Sequence, residues 1–227
     1  MMAATDESLT ERAIRQIQDM IVTLKLEPGQ IVSENEISKA LGLGRMPIRD
    51  AFKRLESDGL VTILPKKGVM ICTARAEDLF LQLEVRRVLE ELIVKRACRY
   101  ATAPERKRLL ELAEDYESAT THSDREEAIH VDEEFHKLLG ECAKNPFARK
   151  AIAPFYARFQ RIYFHDYSIS EEQVLKNNYA HIDLMRCIAS ADEAKAVASL
   201  RIMLKNLEDL VGSSMQVWLP KNSDSLL

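Results

Sequence analysis

Three side chains in the second half of this 227-residue sequence have the types and spacing of a metal site. Asp132 and His136 lie four positions apart in a helical pattern, so they project from one helix face toward a common point. His181 follows on a later segment whose apolar neighbours turn part of that helix inward. One carboxylate and two imidazoles suit Zn, Ni or Mn. The alternative is that His181 is a core histidine whose ring nitrogens form hydrogen bonds with protein groups.

The elements that must position these side chains are helices. From residue 76 onward the pattern is helical almost throughout, with breaks at Pro104, around 118–123, at 145–146, near 168–170 and at 190–192. This pattern predicts roughly six helices in an all-α bundle. The bundle contains no Gly-rich phosphate loop, nucleophile elbow or helical H-E-x-x-H pair, which disfavours an enzyme.

Composition points to a helix-rich, cytoplasmic protein with room for two domains. The chain is 46% hydrophobic but only 6% aromatic, with 7 Gly and 7 Pro. No apolar run is long enough to span a bilayer, and the N-terminus lacks the apolar core of a secretory signal. Because the four cysteines are far apart, we expect reduced, mostly structural thiols.

The first seventy-five residues begin with two helices that each carry a capping signature. Ser8 and Glu11 form a capping box before a helix whose apolar residues recur until Pro28-Gly29 stops the run; these are Ile14, Ile17, Ile21 and Leu24. Ser33 and Glu36 repeat the signature. They open a short helix that ends at 42–44 and has three apolar residues on one face: Ile37, Ala40 and Leu41.

A third helix follows, with Pro47 in its first turn. Its core face has the spacing i, i+3, i+4, i+7 and consists of Ile48, Ala51, Phe52 and Leu55. Arg45, Arg49 and Lys53 recur at i, i+4, i+8 on a different face. Such a row of cations fits along the major groove of DNA.

After this helix the period changes to that of strands. Two β-prone runs, 60–64 and 69–72, flank a turn that contains Lys66 and Lys67 and predict a hairpin with a basic tip. The net charge is −4, but seven bases face three acids between Lys39 and Lys67. Helix-turn-helix, cation row and basic wing in this order predict DNA binding. The alternative is an ordinary three-helix domain with solvated charges.

The run from residue 26 to residue 71 resembles the winged helix-turn-helix of the GntR family. The resemblance implies that Arg45 and Arg49 meet base edges or phosphates, and that Gly68 lets the wing tip approach the minor groove. It also implies that Met46 and Pro47 lie against the DNA backbone. The full predicted set of DNA-binding residues is Ser33, Asn35, Arg45, Met46, Pro47, Arg49, Lys53, Lys66, Lys67 and Gly68. Three residues depart from the commoner family pattern: Asn35, Gly44 and Met46.

Residues 76 to 215 resemble the FCD effector domain of the FadR-like branch of that family. The resemblance rests on E-V-R-R-V-L-E at 84–90, D-E-E-F-H at 132–136, N-P-F at 145–147, His181 and A-x-x-x-L-R-x-M-L at 196–204. It implies a divalent metal held by Asp132, His136 and His181, with small carboxylate effectors completing its coordination. Met203 stands where the family has a third histidine, and a thioether is a poor ligand for Zn, Ni or Mn. The predicted effector-binding residues are Arg86, Arg158, Arg161, Asn178 and Met203.

The expected protein is mainly α: a winged helix-turn-helix domain at 1–75, an all-α helical bundle effector domain at 76–217 and a tail at 218–227. We expect a homodimer on a double-stranded DNA operator, controlled by a small-molecule effector, with no membrane partner and no enzymatic activity. Two alternatives stay open. One is a constitutive DNA-binding regulator with a vestigial pocket, and the other is a metal-dependent enzyme.

Overall fold

The computed structural model describes residues 7–73, 76–166 and 171–218. The chain divides into two compact units between residues 74 and 75. The expected tail lies outside the described residues from 219 onward, as does the break expected near 168–170.

The first unit contains three helices and a small sheet. Its elements are α1 (Leu9–Val22), β1 (Ile31–Val32), α2 (Glu34–Leu41), α3 (Arg45–Ser57), β2 (Val61–Leu64) and β3 (Gly68–Ile71). Both predicted capping boxes are confirmed, because the Ser8 and Ser33 side chains accept from the N–H groups of Glu11 and Glu36. Antiparallel strands β2 and β3 form the predicted hairpin, and β1 adds to the outer side of β3.

Two details of this unit were predicted wrongly, and one was missed. Helix α1 ends at Val22 rather than continuing toward Pro28, because Leu24 adopts a left-handed backbone with φ of +58°. Ala40 is exposed, and Leu43, just after α2, is buried instead. Strand β1 was not expected, since a two-residue strand has too little sequence for a period to show.

The second unit is a helical bundle. Among its described residues it has α4 (Ala76–Tyr100), α5 (Ala103–Thr121), α6 (Arg125–Cys142), α7 (Pro146–Asp166), α8 (Glu171–Ala189) and α9 (Glu193–Trp218). This confirms the predicted all-α architecture and its six helices. Packing of α8 against α5 and α9, and of α4 against α9, forms the centre of the bundle. In the part of the chain that the structure describes, no helix is both long and apolar enough to cross a membrane.

Candidate functional site

The apolar and basic residues of helix α3 lie on two different faces, as their spacing predicts. All four core residues are buried: Ile48, Ala51, Phe52 and Leu55. Arg45, Arg49 and Lys53 are exposed. Gly44, at the N-cap, supplies no side-chain cap, so the first N–H groups of α3 remain available to an external acceptor such as a phosphate oxygen.

A groove of about 460 Å³ runs between the N-terminal ends of α2 and α3 and the wing. Seven of the ten predicted DNA-binding residues line it: Ser33, Asn35, Arg45, Arg49, Lys66, Lys67 and Gly68. The other three, Met46, Pro47 and Lys53, lie on α3 outside that lining. Met46 is nevertheless 63% exposed at the start of the helix.

Arg49 is held by a residue that sequence reasoning missed. Its Nε lies 3.2 Å from Oε1 of Glu34, and one terminal nitrogen lies 3.1 Å from Oε2 of the same carboxylate. The hydrogen bond and charge of Glu34 raise the pKa of the Arg49 guanidinium. By contrast, no described carboxylate lies within ion-pair distance of Arg45, Lys66 or Lys67. Glu34 therefore fixes the direction of one cation in the groove and leaves these three available.

Gly68 has a structural role beside the predicted one. Its φ is +120°, and a Cβ at this position would lie 2.5 Å from the carbonyl oxygen of Val32 on β1. Only glycine combines this backbone conformation with such a close approach. The start of β3 can therefore pass close to β1.

The three predicted metal ligands converge in the second unit. Asp132 and His136 project from α6, and His181 projects from α8. Oδ1 of Asp132 lies 3.5 Å from Nε2 of His136 and 3.2 Å from Nε2 of His181. One ligand atom from each residue lies within 4.8 Å of the others, and both histidines are buried.

Neighbouring groups orient the ligands. Nδ1 of His181 lies 2.8 Å from the carbonyl oxygen of Asn177, so Nδ1 carries the ring proton and the Nε2 lone pair faces Asp132. Nε2 of Gln160 donates to Oδ2 of Asp132 at 3.0 Å, which leaves Oδ1 directed at the two imidazoles. The buried Nδ1 of His136 has no hydrogen-bond partner among the described residues. In the metal-free chain Nε2 of His136 can therefore carry the ring proton toward Asp132, whereas a cation bound at Nε2 would leave the proton on Nδ1.

The charge states fit a divalent cation. Burial would raise the pKa of Asp132, but the His136 and His181 imidazoles and the Gln160 hydrogen bond outweigh it and hold that pKa below its usual range. Burial lowers the pKa of His181. An ionised carboxylate and a neutral imidazole are the forms that bind metal. The residues present therefore fit a cation with three protein ligands and an open position.

A cavity of about 30 Å³ adjoins this centre, which is room for about two water molecules. Its lining comprises Arg86, Ile129, Asp132, His136, Tyr156, Phe159, Gln160, Asn177, His181 and Leu207. Arg86 donates from Nε to Oε1 of Glu90 at 2.6 Å, and its guanidinium lies 4.6 Å from the centre of the Phe159 ring. A buried, aromatic-covered arginine thus lies at the wall of the cavity.

Of the five predicted effector-binding residues, Arg86 alone is among those that line this cavity in the described chain. Asn178 faces elsewhere, donating to Oγ1 of Thr120, while its neighbour Asn177 lines the cavity. Arg158 is half-buried and Arg161 is buried on α7. Met203 is fully buried on α9, one helical turn before the lining residue Leu207.

Sequence reasoning missed Gln160, Asn177 and Tyr156. The ring of Tyr156 stacks on His136 with 3.9 Å between ring centres. Glu90, by contrast, was placed by the sequence four positions after Arg86 on the same helix, and the two side chains do form a hydrogen bond. The other three depend on how α6, α7 and α8 pack, and no local pattern indicates them.

Comparisons with known proteins agree with both units. Residues 9–71 match the bacterial regulatory proteins of the gntR family, and residues 82–206 match the FCD domain. The chain is 30% identical over 216 residues to the Nta operon transcriptional regulator of Aminobacter aminovorans, covering 91% of this chain and 98% of that protein. The chain belongs to the GntR family. It is a DNA-binding transcription regulator with an FCD domain.

One further relative and one solved structure are similar to this GntR regulator. An uncharacterized HTH-type transcriptional regulator of Agrobacterium vitis is 35% identical over 135 residues, which are 58% of this chain and 78% of that protein. The solved structure of McbR/YncC from Escherichia coli shares the fold with a TM-score of 0.79 at 21% identity, covering 91% of this chain and 99% of that one.

Proposed function

We propose that this GntR regulator is switched on its operator by a small carboxylate that binds beside a divalent metal in the FCD domain. The observation that carries the proposal is the convergence of Asp132, His136 and His181 at one wall of a cavity that also contains Arg86. A bound cation would supply a positive centre with open positions for an anionic ligand. Arg86, whose Nε already donates to Glu90, can offer its terminal nitrogens to a planar carboxylate.

On the DNA side, α3 enters the major groove while the wing contacts the minor groove. Arg45 and Arg49 read base edges or nearby phosphates, and Lys66 and Lys67 contact phosphates. Both interactions are supported by the exposure of these residues around one groove. A palindromic operator requires two such units, so the regulator acts as a homodimer in the cytoplasm.

The cavity is small for an organic ligand, and this size indicates how effector binding would change the protein. A carboxylate larger than two water molecules must displace the cavity walls or the water itself. The side chains that must move include Arg86 on α4 and Tyr156 on α7. Regulation then depends on how differently the effector binds the states that can and cannot bind DNA.

The two alternatives from the sequence make opposite predictions. A constitutive regulator with a vestigial pocket is motivated by Met203 in the fourth ligand position, but the three remaining ligands keep the arrangement that metal binding needs. A metal-dependent enzyme would use the same three residues. We infer a regulator without catalytic activity, because the relatives over nearly the full length are transcription regulators.

The test combines metal analysis with DNA binding. Purified chain is stripped with chelator, reloaded with Zn, Ni or Mn, and screened by thermal shift against organic acids with and without metal. Fluorescence anisotropy on the DNA upstream of its own gene then measures the effect of each acid that binds. Asp132→Asn should abolish metal and acid responses, whereas Asp183→Asn, at an exposed position on α8, should keep both.

Two results would contradict the proposal. A thermal-shift response that is flat across metals and acids, with intact DNA binding, would support the constitutive regulator. Hydrolytic turnover that is lost in Asp132→Asn, with no affinity for the upstream DNA, would support the enzyme.

A further inference from the structure

One acidic side chain lies among the cations of the groove between α3 and the wing. Glu34, the first residue of α2, lines this groove together with four basic residues: Arg45, Arg49, Lys66 and Lys67. No other residue of the described groove lining is acidic. A carboxylate repels the DNA phosphates that such a groove approaches, so it weakens binding to DNA of every sequence. The position of Glu34 therefore calls for an explanation other than phosphate binding.

Folding stability does not explain the position of Glu34. The side chains of Glu34 and Arg49 are 30% and 51% exposed, and ion pairs this accessible to solvent contribute little to stability. The start of α2 is capped by other groups, since Ser33 and Glu36 form the capping box. Helix α2 can therefore begin at this point without the Glu34 carboxylate.

The contact between Glu34 and Arg49 consists of two parallel hydrogen bonds. Nε of Arg49 lies 3.2 Å from Oε1 of Glu34, and one terminal nitrogen lies 3.1 Å from Oε2. A guanidinium has five N–H donors in a rigid plane, and this contact uses two of them along one edge. Of the three that remain, two point in parallel from the adjacent edge, one from each terminal nitrogen. Such a pair of donors matches O6 and N7 of guanine in the major groove.

The ion pair also reduces the charge that Arg49 can offer to phosphates. Glu34 and Arg49 together carry no net charge, whereas no described carboxylate lies within ion-pair distance of Arg45, Lys66 or Lys67. Affinity for DNA of any sequence follows the number of phosphates that a protein neutralises. Arg45, Lys66 and Lys67 can supply that attraction, and the oriented donors of Arg49 are suited to distinguishing bases.

We propose that Glu34 is a specificity-determining residue, which holds Arg49 in the orientation that reads a guanine of the operator and lowers the affinity of the groove for other DNA. Glu34 acts through Arg49 and is therefore a positioning residue. The inference rests on the proposed function in one respect, since α3 must enter the major groove. It does not depend on the metal or on the effector.

The first experiment compares binding to two DNA sequences. Glu34→Gln removes the charge and keeps the size of the side chain. Fluorescence anisotropy over a salt series measures the dissociation constants on the upstream DNA and on a duplex of shuffled sequence. Discrimination between the two should fall at least about fivefold, and the slope of log affinity against log salt on the shuffled duplex should steepen by about 1.

A matched control makes the same charge change elsewhere in the winged unit. Glu27 is exposed and does not belong to the groove lining. Glu27→Gln should therefore keep the wild-type discrimination and salt slope. Far-UV circular dichroism and thermal melting check that both variants fold.

The second experiment separates the charge of Glu34 from its reach. Glu34→Asp keeps the carboxylate but shortens the side chain by one methylene, so the salt slope should stay at the wild-type value while discrimination falls. In a chain that carries Arg49→Ala, Glu34→Gln should leave discrimination unchanged, because the group that Glu34 positions is absent.

The third experiment tests the guanine contact directly. Each guanine in the upstream DNA that the wild-type chain protects is replaced in turn by 7-deazaguanine, which lacks the N7 acceptor. At one guanine of each half-site, the replacement should weaken wild-type binding at least about fivefold but Glu34→Gln and Arg49→Ala binding less than about twofold.

Three results would overturn the proposal. They are unchanged discrimination in Glu34→Gln, an effect of Glu34→Gln that persists in the Arg49→Ala chain, and a 7-deazaguanine series in which no position distinguishes wild type from Glu34→Gln. Failure of the proposed function looks different, because the wild-type chain would then bind the upstream and shuffled DNA equally. If wild type and Glu34→Gln discriminate equally well, the regulator stands and Glu34 has no part in its specificity.

Discussion

Nε2 of His181 lies 3.2 Å from Oδ1 of Asp132, while Nδ1 of the same ring lies 2.8 Å from the carbonyl oxygen of Asn177. Because Nδ1–H of the neutral ring donates to the carbonyl oxygen of Asn177, the Nε2 lone pair and the Asp132 carboxylate face each other across that short distance. Two electron-rich atoms so close repel each other unless a cation lies between them. This relationship underlies the first two predictions.

Divalent metal should stabilise the chain. At a free Zn concentration 100 times the dissociation constant, the free energy of unfolding should rise by about 2.7 kcal/mol, since metal binds the folded state. Differential scanning calorimetry after chelation and reloading measures this as an increase of several degrees in Tm. Asp132→Asn should remove the increase and Asp183→Asn should retain it. An unchanged Tm in the wild-type chain would show that the three ligands do not hold metal.

Met203→His should make the chain depend more strongly on metal. Met203 is fully buried one turn before Leu207, which lines the cavity, so we expect an imidazole at position 203 to act as a fourth ligand. Without metal, the variant buries an unsatisfied polar ring, and the free energy of unfolding should fall by roughly 1–3 kcal/mol. With Zn, the stability should recover and competition titration should show at least about tenfold tighter binding. Equal Zn affinity in the two chains would mean that position 203 does not reach the metal.

Arg49→Ala and Lys67→Ala should weaken DNA binding in different ways. Arg49 is fixed by Glu34 in the groove, so its loss should cost about 1–3 kcal/mol of discrimination between the operator and a mismatched site. Lys67 lies on the exposed wing tip, and its loss should mainly reduce the slope of log affinity against log salt by about 1. Anisotropy on both DNA sequences over a salt series measures each quantity. Equal weakening on every sequence would reassign Arg49 to a phosphate contact.

Gly68→Ala should destabilise the winged unit. An added Cβ would lie 2.5 Å from a backbone oxygen of Val32 at a φ of +120°, which should lower the free energy of unfolding by about 1–3 kcal/mol. Urea unfolding followed by circular dichroism measures the change. Gly44→Ala is the control, because the nearest atom to an added Cβ there, Cδ of Pro47, would lie 3.7 Å away and the φ of Gly44 is −64°. A smaller loss in Gly68→Ala than in Gly44→Ala would mean that β1 moves away from the wing at little cost.

Thiol reactivity should separate the four cysteines into two pairs. Burial raises the pKa of Cys98 to about 11 and that of Cys142 to about 12, so at pH 8 their thiolate populations are very small. Cys72 and Cys187 are half-buried. The folded chain is titrated with an aromatic disulfide that releases a coloured thiolate when it reacts. Cys72 and Cys187 should react quickly, and Cys98 and Cys142 only on unfolding. Rapid modification of Cys98 or Cys142, located by mass spectrometry, would show that the bundle opens easily.

Features that depend on neighbours in sequence followed from the sequence itself. The capping boxes at Ser8 and Ser33, the two faces of α3 and the six helices of the bundle were predicted because helices form through local hydrogen bonds and amphipathic spacing. The pairing of Asp132 with His136 followed in the same way from one helix face. His181 was a candidate from its place on a later helix, and family resemblance supported it, but its convergence on Asp132 depended on how the bundle packs.

Other features depend on packing between segments that are distant in sequence. Glu34 reaches Arg49 across fifteen positions, and Gln160 reaches Asp132 across twenty-eight. The exposure of Leu81, Val85, Val88 and Leu92 on α4 could not be predicted for a related reason, since both faces of that helix are apolar and sequence alone does not separate the core face from the exposed one. Local hydrogen bonding and periodicity determine which residues share a face of a helix. Only the packing of the helices decides what each face meets.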